Sequence, residues 1–206
     1  MVAVAVRLPV RSVAVANGAV IALLGVLGVL SVAVGSPFGI FNLNDERNLP
    51  AIYSTALWLS LAVLALVLGR LDPAPGLPPL WLGLAALFAF VSADELGEIH
   101  ERLERIIGID WQILYLPIAL LAFVLWLFVA RRLRRIGAGF GLLLFGTLCG
   151  TASQVAEAVE YGPDDERIAA FDELVVFEEL LEMVGALLIG LALLTALQAL
   201  YRGARA

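Results

Sequence analysis

Apolar residues run almost unbroken through six stretches of the chain, and each interruption carries glycine, proline, asparagine or a group of charges. The first stretch, Val13 to Val34, is about 22 residues, enough to cross a ~30 Å hydrocarbon core at ~1.5 Å per residue. A cleavable leader has a shorter apolar region of ~7–15 residues, so this run reads as a retained first helix. Gly35, Ser36 and Pro37 stop it, and a polar loop continues to Pro50. Further helices are predicted over residues 51–69, 80–107, 111–130, 136–161 and 172–201. The dipeptides Asp72-Pro73, Pro75-Gly76 and Pro78-Pro79 separate the second from the third. Pro117 predicts a kink inside the fourth, and Arg131, Arg132, Arg134 and Arg135 close it. The third helix outlasts its apolar run: Leu96, Ile99, Leu103, Ile106 and Ile107 form one stripe, so residues 94–107 read as its amphipathic continuation. The expected fold is all-α, a bundle of six transmembrane helices.

Composition agrees with that pattern. The 206 residues are 62% hydrophobic and 16% charged, with a mean hydropathy of +0.97, whereas a soluble domain is nearer ~45–50% apolar. No linker or shift in composition divides the chain, so residues 1–206 form a single domain. Cys149 is the one cysteine, which excludes an intramolecular disulfide and a paired-cysteine metal site. All 13 basic residues are arginine, which excludes a lysine Schiff base.

Charge then orients the bundle. The amino-terminal arginines, Arg70, the four-arginine cluster and the carboxyl-terminal arginines fall on one side, which the positive-inside rule makes cytoplasmic, with both termini there. Every one of the 19 acidic residues except Asp72 lies at the other ends of the helices, giving an acidic outer face. The expected location is a bacterial inner membrane, crossed several times, with the lipid bilayer as principal partner.

Most of those acids need no special purpose. Glu46, Glu104, Asp164, Asp165 and Glu166 read as solvated or paired with Arg47, Arg102, Arg105 and Arg167, since exposed ion pairs contribute only ~0–1 kcal/mol. Helical phase, at ~100° per residue, sorts the rest. In a straight third helix Glu95 and His100 lie at the two edges of the apolar stripe and turn inward, while Asp94, Glu98, Glu101 and Arg105 turn outward. In the fifth helix Gly146, Gly150, Ser153 and Glu157 share a face, and small residues at that spacing allow close helix approach. In the sixth, Glu178 and Glu182 stand one turn apart. Glu182 is followed by the ~19 apolar residues needed to span, so it belongs at the outer boundary.

Glu95, His100, Glu157, Glu178 and Glu182 therefore reach a similar depth from three helices. Convergent carboxylates with one imidazole suit a divalent cation, whose charge offsets their mutual repulsion. Oxygen-rich ligation suits Ca²⁺, Mg²⁺ or Mn²⁺, and the histidine leaves Fe²⁺ and Zn²⁺ open. A ferritin-like di-iron centre is disfavoured, because Gly97 stands where a Glu-x-x-His pair needs its carboxylate and there is no second histidine. Without a metal, the same crowding suits a proton relay.

The motif of Asp94, Glu95, His100 and Glu101, with the later Glu178, Glu179, Glu182 and Met183, resembles that of bacterial polytopic membrane proteins carrying a DExxxxHE helix end and an EExxEM helix start. The resemblance implies that these residues belong to one site, and implies no reaction. A phosphate-binding glycine loop, a nucleophile elbow and a basic aromatic surface for nucleic acid are all missing from the sequence. Three classes remain: a membrane protein with a carboxylate/His divalent-metal site, a class that includes membrane metalloenzymes; a small cation- or proton-coupled transporter; and a structural subunit binding a neighbouring membrane protein or a second copy of itself. An outer-leaflet site suits lipid-linked substrates, although no residue selects one.

Overall fold

The computed structural model describes residues 9–160, except 44 and 46, and residues 172–203. The predicted loop 162–171, with Arg167 and its three neighbouring acids, lies outside them. Among the described residues every regular element is helical: α1 (Val10–Val34), a 3-10 turn at Phe38–Phe41, α2 (Leu49–Leu71), α3 (Pro78–Gly97), α4 (Ile99–Ile107), α5 (Trp111–Leu114), α6 (Leu116–Ile136), α7 (Phe140–Glu160) and α8 (Asp172–Gly203). Among the described residues, six helices are long and apolar enough to cross a membrane. The protein is a multi-pass membrane helix bundle.

Its packing follows from that setting. Leucine, valine and phenylalanine side chains such as Leu23, Val63 and Phe145 stay exposed on the outside of the bundle, facing the lipid region. Lipid tails are as apolar as these residues, so association depends on close fit and interhelical hydrogen bonds. Helix α8 is the hub, packed on α1, α2 and α7, while α2 and α3 form a second tight pair. One core joins Leu61, Leu68, Trp81, Leu133 and Leu193; a second joins Ile21, Leu57, Met183 and Ala186. Helix α6 touches its neighbours much more sparingly.

Local sequence accounts for the ends. Asn48 caps α2 by accepting the Ala51 N–H at 3.1 Å, with Pro50 in the first turn, where its missing N–H costs nothing. Gly137 and Gly139 have φ of 72° and 79°, and together they make the tight turn from α6 to α7. A side chain at Gly139 would meet the Ala192 carbonyl at 2.5 Å, so both conformation and space demand glycine there.

Four expectations change. The predicted third helix is broken: Glu98 takes left-handed φ 50°, ψ 42°, and ends α3 one residue before α4 begins. Pro117 introduces no kink, because it occupies the first turn of α6, preceded by the separate short α5. The four arginines do not close that helix at residue 130; they lie within its last turns, which continue to Ile136. The next helix accordingly starts at Phe140.

Asp72, which the sequence places in a polar turn, is the largest surprise at the arginine-rich end. Its side chain is fully buried against Arg132, which donates from Nε at 2.8 Å and from a terminal nitrogen at 2.5 Å. The Trp81 indole N–H adds a third bond at 3.1 Å and the Ala74 N–H a fourth at 3.1 Å. One carboxylate thus ties the end of α2 to α3 and α6.

Candidate functional site

The break at Glu98 creates the site at the acidic end. With α4 turned away from the axis of α3, the Asp94 carboxylate reaches across the gap and accepts the His100 backbone N–H through Oδ1 at 2.9 Å. It thereby satisfies one of the unpaired donors in the first turn of α4, a capping role filled from outside the usual position. Its Oδ2 contacts His100 Nδ1 at 3.2 Å. The Tyr115 hydroxyl donates to Oδ1 at 3.0 Å. Asp94 therefore faces inward, against the sequence expectation, because the phase of a straight helix no longer holds beyond Gly97. Glu98 leaves the solvated face too: Arg47 holds it at 2.8 Å. Glu101 pairs with Arg105 at 3.6 Å one turn away.

A carboxylate only accepts, so its bond to Nδ1 places the imidazole proton on that nitrogen and leaves the chemistry of His100 to Nε2. The ring lies against Trp111, with centroids 5.0 Å apart, and Trp111 meets Tyr115 edge-on at 5.6 Å. Burial pushes the Tyr115 phenol above its ordinary value, and the Asp94 charge and hydrogen bond add to the effect. Tyr115 is thus a donor at any physiological pH.

Trp111 connects this pair to the other carboxylates. Asp110 caps α5 by accepting the Gln112 N–H at 2.7 Å, which sets Trp111 at the head of the element. Its indole N–H donates to Glu157 Oε1 at 3.0 Å. Glu157 Oε2 accepts from Gln154 at 3.3 Å and from Gln112 at 3.5 Å. The same Gln154 nitrogen donates to Glu182 Oε1 at 3.3 Å, and the buried Ser153 hydroxyl donates to it at 3.2 Å. His100 lies within electrostatic reach of both Glu157 and Glu182. The donors from Trp111, Gln112, Ser153 and Gln154 to these two glutamates are all neutral.

Close helix approach makes this possible. A Cβ at Gly146 would stand 2.8 Å from the Gly185 carbonyl, and one at Gly185 would stand 2.9 Å from the Gly146 carbonyl. Helices α7 and α8 therefore pack backbone to backbone, which brings Ser153 and Gln154 within reach of Glu182. The close pair is Gly146 with Gly185; a Cβ at Gly150 would meet nothing.

Of the five residues predicted from sequence, His100, Glu157 and Glu182 share this neighbourhood. Glu178 is buried one turn from Glu182 on α8, and Glu95 is half-buried beside Asp94 on α3. Among the described residues, no three His, Cys, Asp or Glu side chains stand in an arrangement that holds a metal ion. The motif resemblance grouped Asp94 with His100 while helical phase turned it outward, and sequence reasoning missed Trp111 and Tyr115. Gly97, next to Glu98 and three residues before the histidine, was the available signal for the break that brings His100 onto Asp94.

These features define a class: an integral membrane protein of six spanning helices with a polar site where five of its elements meet at one end. The chain belongs to the family described as Domain of unknown function (DUF8692), whose model matches residues 13–197. No curated protein and no solved structure matches it.

Proposed function

We propose that the pocket is an acid–base site, in which His100, oriented by Asp94, exchanges protons with Glu157, Glu182 and a polar group bound among them. The observation that carries this reading is the single Gln154 nitrogen shared by Glu157 and Glu182, with His100 within electrostatic reach of both. Two carboxylates held that close need a positive charge between them. An adjacent imidazole and a shared proton supply it, and pairs of titratable groups in unlike environments are how acid and base roles are divided. The Asp94 contact fixes the tautomer, as a base requires.

Infrared spectroscopy of the purified protein is the test. A protonated-carboxyl band at neutral pH, lost in Glu182→Gln or Glu157→Gln and shifted in His100→Ala, is expected. A neutral-pH spectrum without that band, or one whose band survives both glutamine variants, would sink the reading.

The Asp94–His100 contact favours a second reading. A carboxylate on one imidazole nitrogen is the arrangement that orients the other toward a metal, and Glu157 and Glu182 would complete an oxygen-rich set for Ca²⁺, Mg²⁺, Mn²⁺, Fe²⁺ or Zn²⁺. Stoichiometric metal in elemental analysis of the same preparations, lost in His100→Ala, would move the assignment to this reading.

A further inference from the structure

Directly beneath the polar site, α3, α6, α7 and α8 border an open-sided cavity of about 560 Å³, within the ~300–1,000 Å³ typical of small-molecule sites. Its wall is apolar, built from residues such as Leu84, Phe88, Ala122, Trp126 and Ile189. Thr147 also lines it, but its hydroxyl accepts the Trp126 indole N–H at 2.8 Å and donates to the Leu143 carbonyl at 2.9 Å. Both hydrogen-bonding roles are thus used within the wall. Along α6 the lining runs from Tyr115 to Val129, which is ~21 Å of helix at ~1.5 Å per residue. That depth exceeds half of a ~30 Å hydrocarbon core. On its open side stand Phe123 and Leu144, both exposed toward the lipid region.

Water finds no partners in such a space, so in a bilayer it holds hydrocarbon. Its ceiling sets it apart from ordinary lipid contact. Trp111 and Tyr115 line the cavity, while their N–H and O–H groups donate to Glu157 and Asp94. The apolar wall ends where the hydrogen-bonded cluster begins, and that is the shape of an amphiphile. The cluster sets three carboxylates, Asp94, Glu157 and Glu182, against one imidazole. A head group that donates hydrogen bonds or carries positive charge complements it, and an anionic one is opposed.

We propose that cavity and cluster form one site for a single-chain amphiphile with a hydroxyl or amine head group, its chain lying between α3, α6 and α8 and its head donating to the carboxylates. The chain-holding half stands on the cavity alone; the head-group half rests on the acid–base reading.

Trp58, Trp111 and Trp126 line the cavity, three of the four tryptophans in the chain, so bromine on a bound chain quenches the protein's fluorescence. The full chain in phosphatidylcholine nanodiscs is titrated with brominated hexadecylamine, hexadecanol and hexadecyl phosphate. Saturable quenching by the amine or the alcohol is expected, with the phosphate about tenfold or more weaker. Two separate cavity-filling variants, Ala122→Phe and Ala119→Phe, are expected to remove the saturable phase. Glu157→Gln combined with Glu182→Gln is expected to keep chain binding and lose the head-group preference, so a failure of the acid–base reading is told apart from a failure of the cavity. Unsaturable quenching that is equal in the parent and both filled variants, or tightest binding by the phosphate, overturns the proposal.

Discussion

Two aspartates, one at each end of the bundle, show how far a single carboxylate can organise this protein. At the arginine-rich end burial alone would raise the Asp72 carboxyl, yet the Arg132 guanidinium, with the Ala74 N–H and the Trp81 indole, holds it below its ordinary value. A depressed folded value means that stability is fully present above the unfolded value of about 3.9 and drains away as pH falls through the folded one. Asp72→Asn would leave the guanidinium facing an uncharged amide, a loss of ~3–5 kcal/mol when a buried pair is broken from one side. Thermal melts in detergent are expected to show a lower Tm for the variant at neutral pH and a shallower decline on acidification. Equal acid sensitivity in variant and parent would contradict the assignment. At the other end Asp94 holds both backbone and ring of His100. Neither role was legible in the sequence, because Asp72-Pro73 carries the signature of an exposed turn and helical phase turned Asp94 outward. Glu157 and Glu182 were legible, since a glutamate on a small-residue face or just ahead of a full apolar span has few places to go.

At the scale of the elements, length and apolarity made all six spans readable, because a bilayer fixes how long such a run must be. Breaks were harder. A non-glycine residue in the left-handed region, as at Glu98, leaves no trace in hydrophobic periodicity, and the stripe from Leu96 to Ile107 continues across it. Pro117 was ambiguous for a similar reason, since proline can bend a helix or begin one. Small residues gave a truer signal, although its partner lay elsewhere: Gly146 meets Gly185 across the α7–α8 contact. Gly146→Ala would push its new methyl to 2.8 Å from a backbone carbonyl that cannot yield, costing ~1–3 kcal/mol as an overpacked contact. Gly150→Ala, with open space around its Cβ, is expected to be neutral or to gain up to about 1 kcal/mol from helix propensity. Melting temperatures of the two variants, measured side by side, check the contrast; equal loss in both would refute it.

Across the whole molecule, the arginine cluster of α6 and the carboxylates of the candidate site lie at opposite ends, and the positive-inside rule turns that difference into a predicted sidedness. In a Cys149→Ser background, Ala138→Cys between α6 and α7 should react with a membrane-impermeant maleimide only from the cytoplasm, and Asp45→Cys before α2 only from outside. Labelling of both from one side would overturn the topology. The same division gives α6 an unusual mechanical position. Arg132 is clamped to Asp72 at one end, Leu125, Val129 and Leu133 seat the helix in the core beside that clasp, and Tyr115 touches Asp94 at the other through one 3.0 Å bond. Between those points run 17 residues, or ~26 Å of helix, so α6 is a lever: a tilt of about 5° at the clasp sweeps Tyr115 through about 2 Å, enough to part its hydroxyl from Asp94. A substitution at Arg132 is therefore expected to act on the distant pocket by leverage, through the rigidity of one helix.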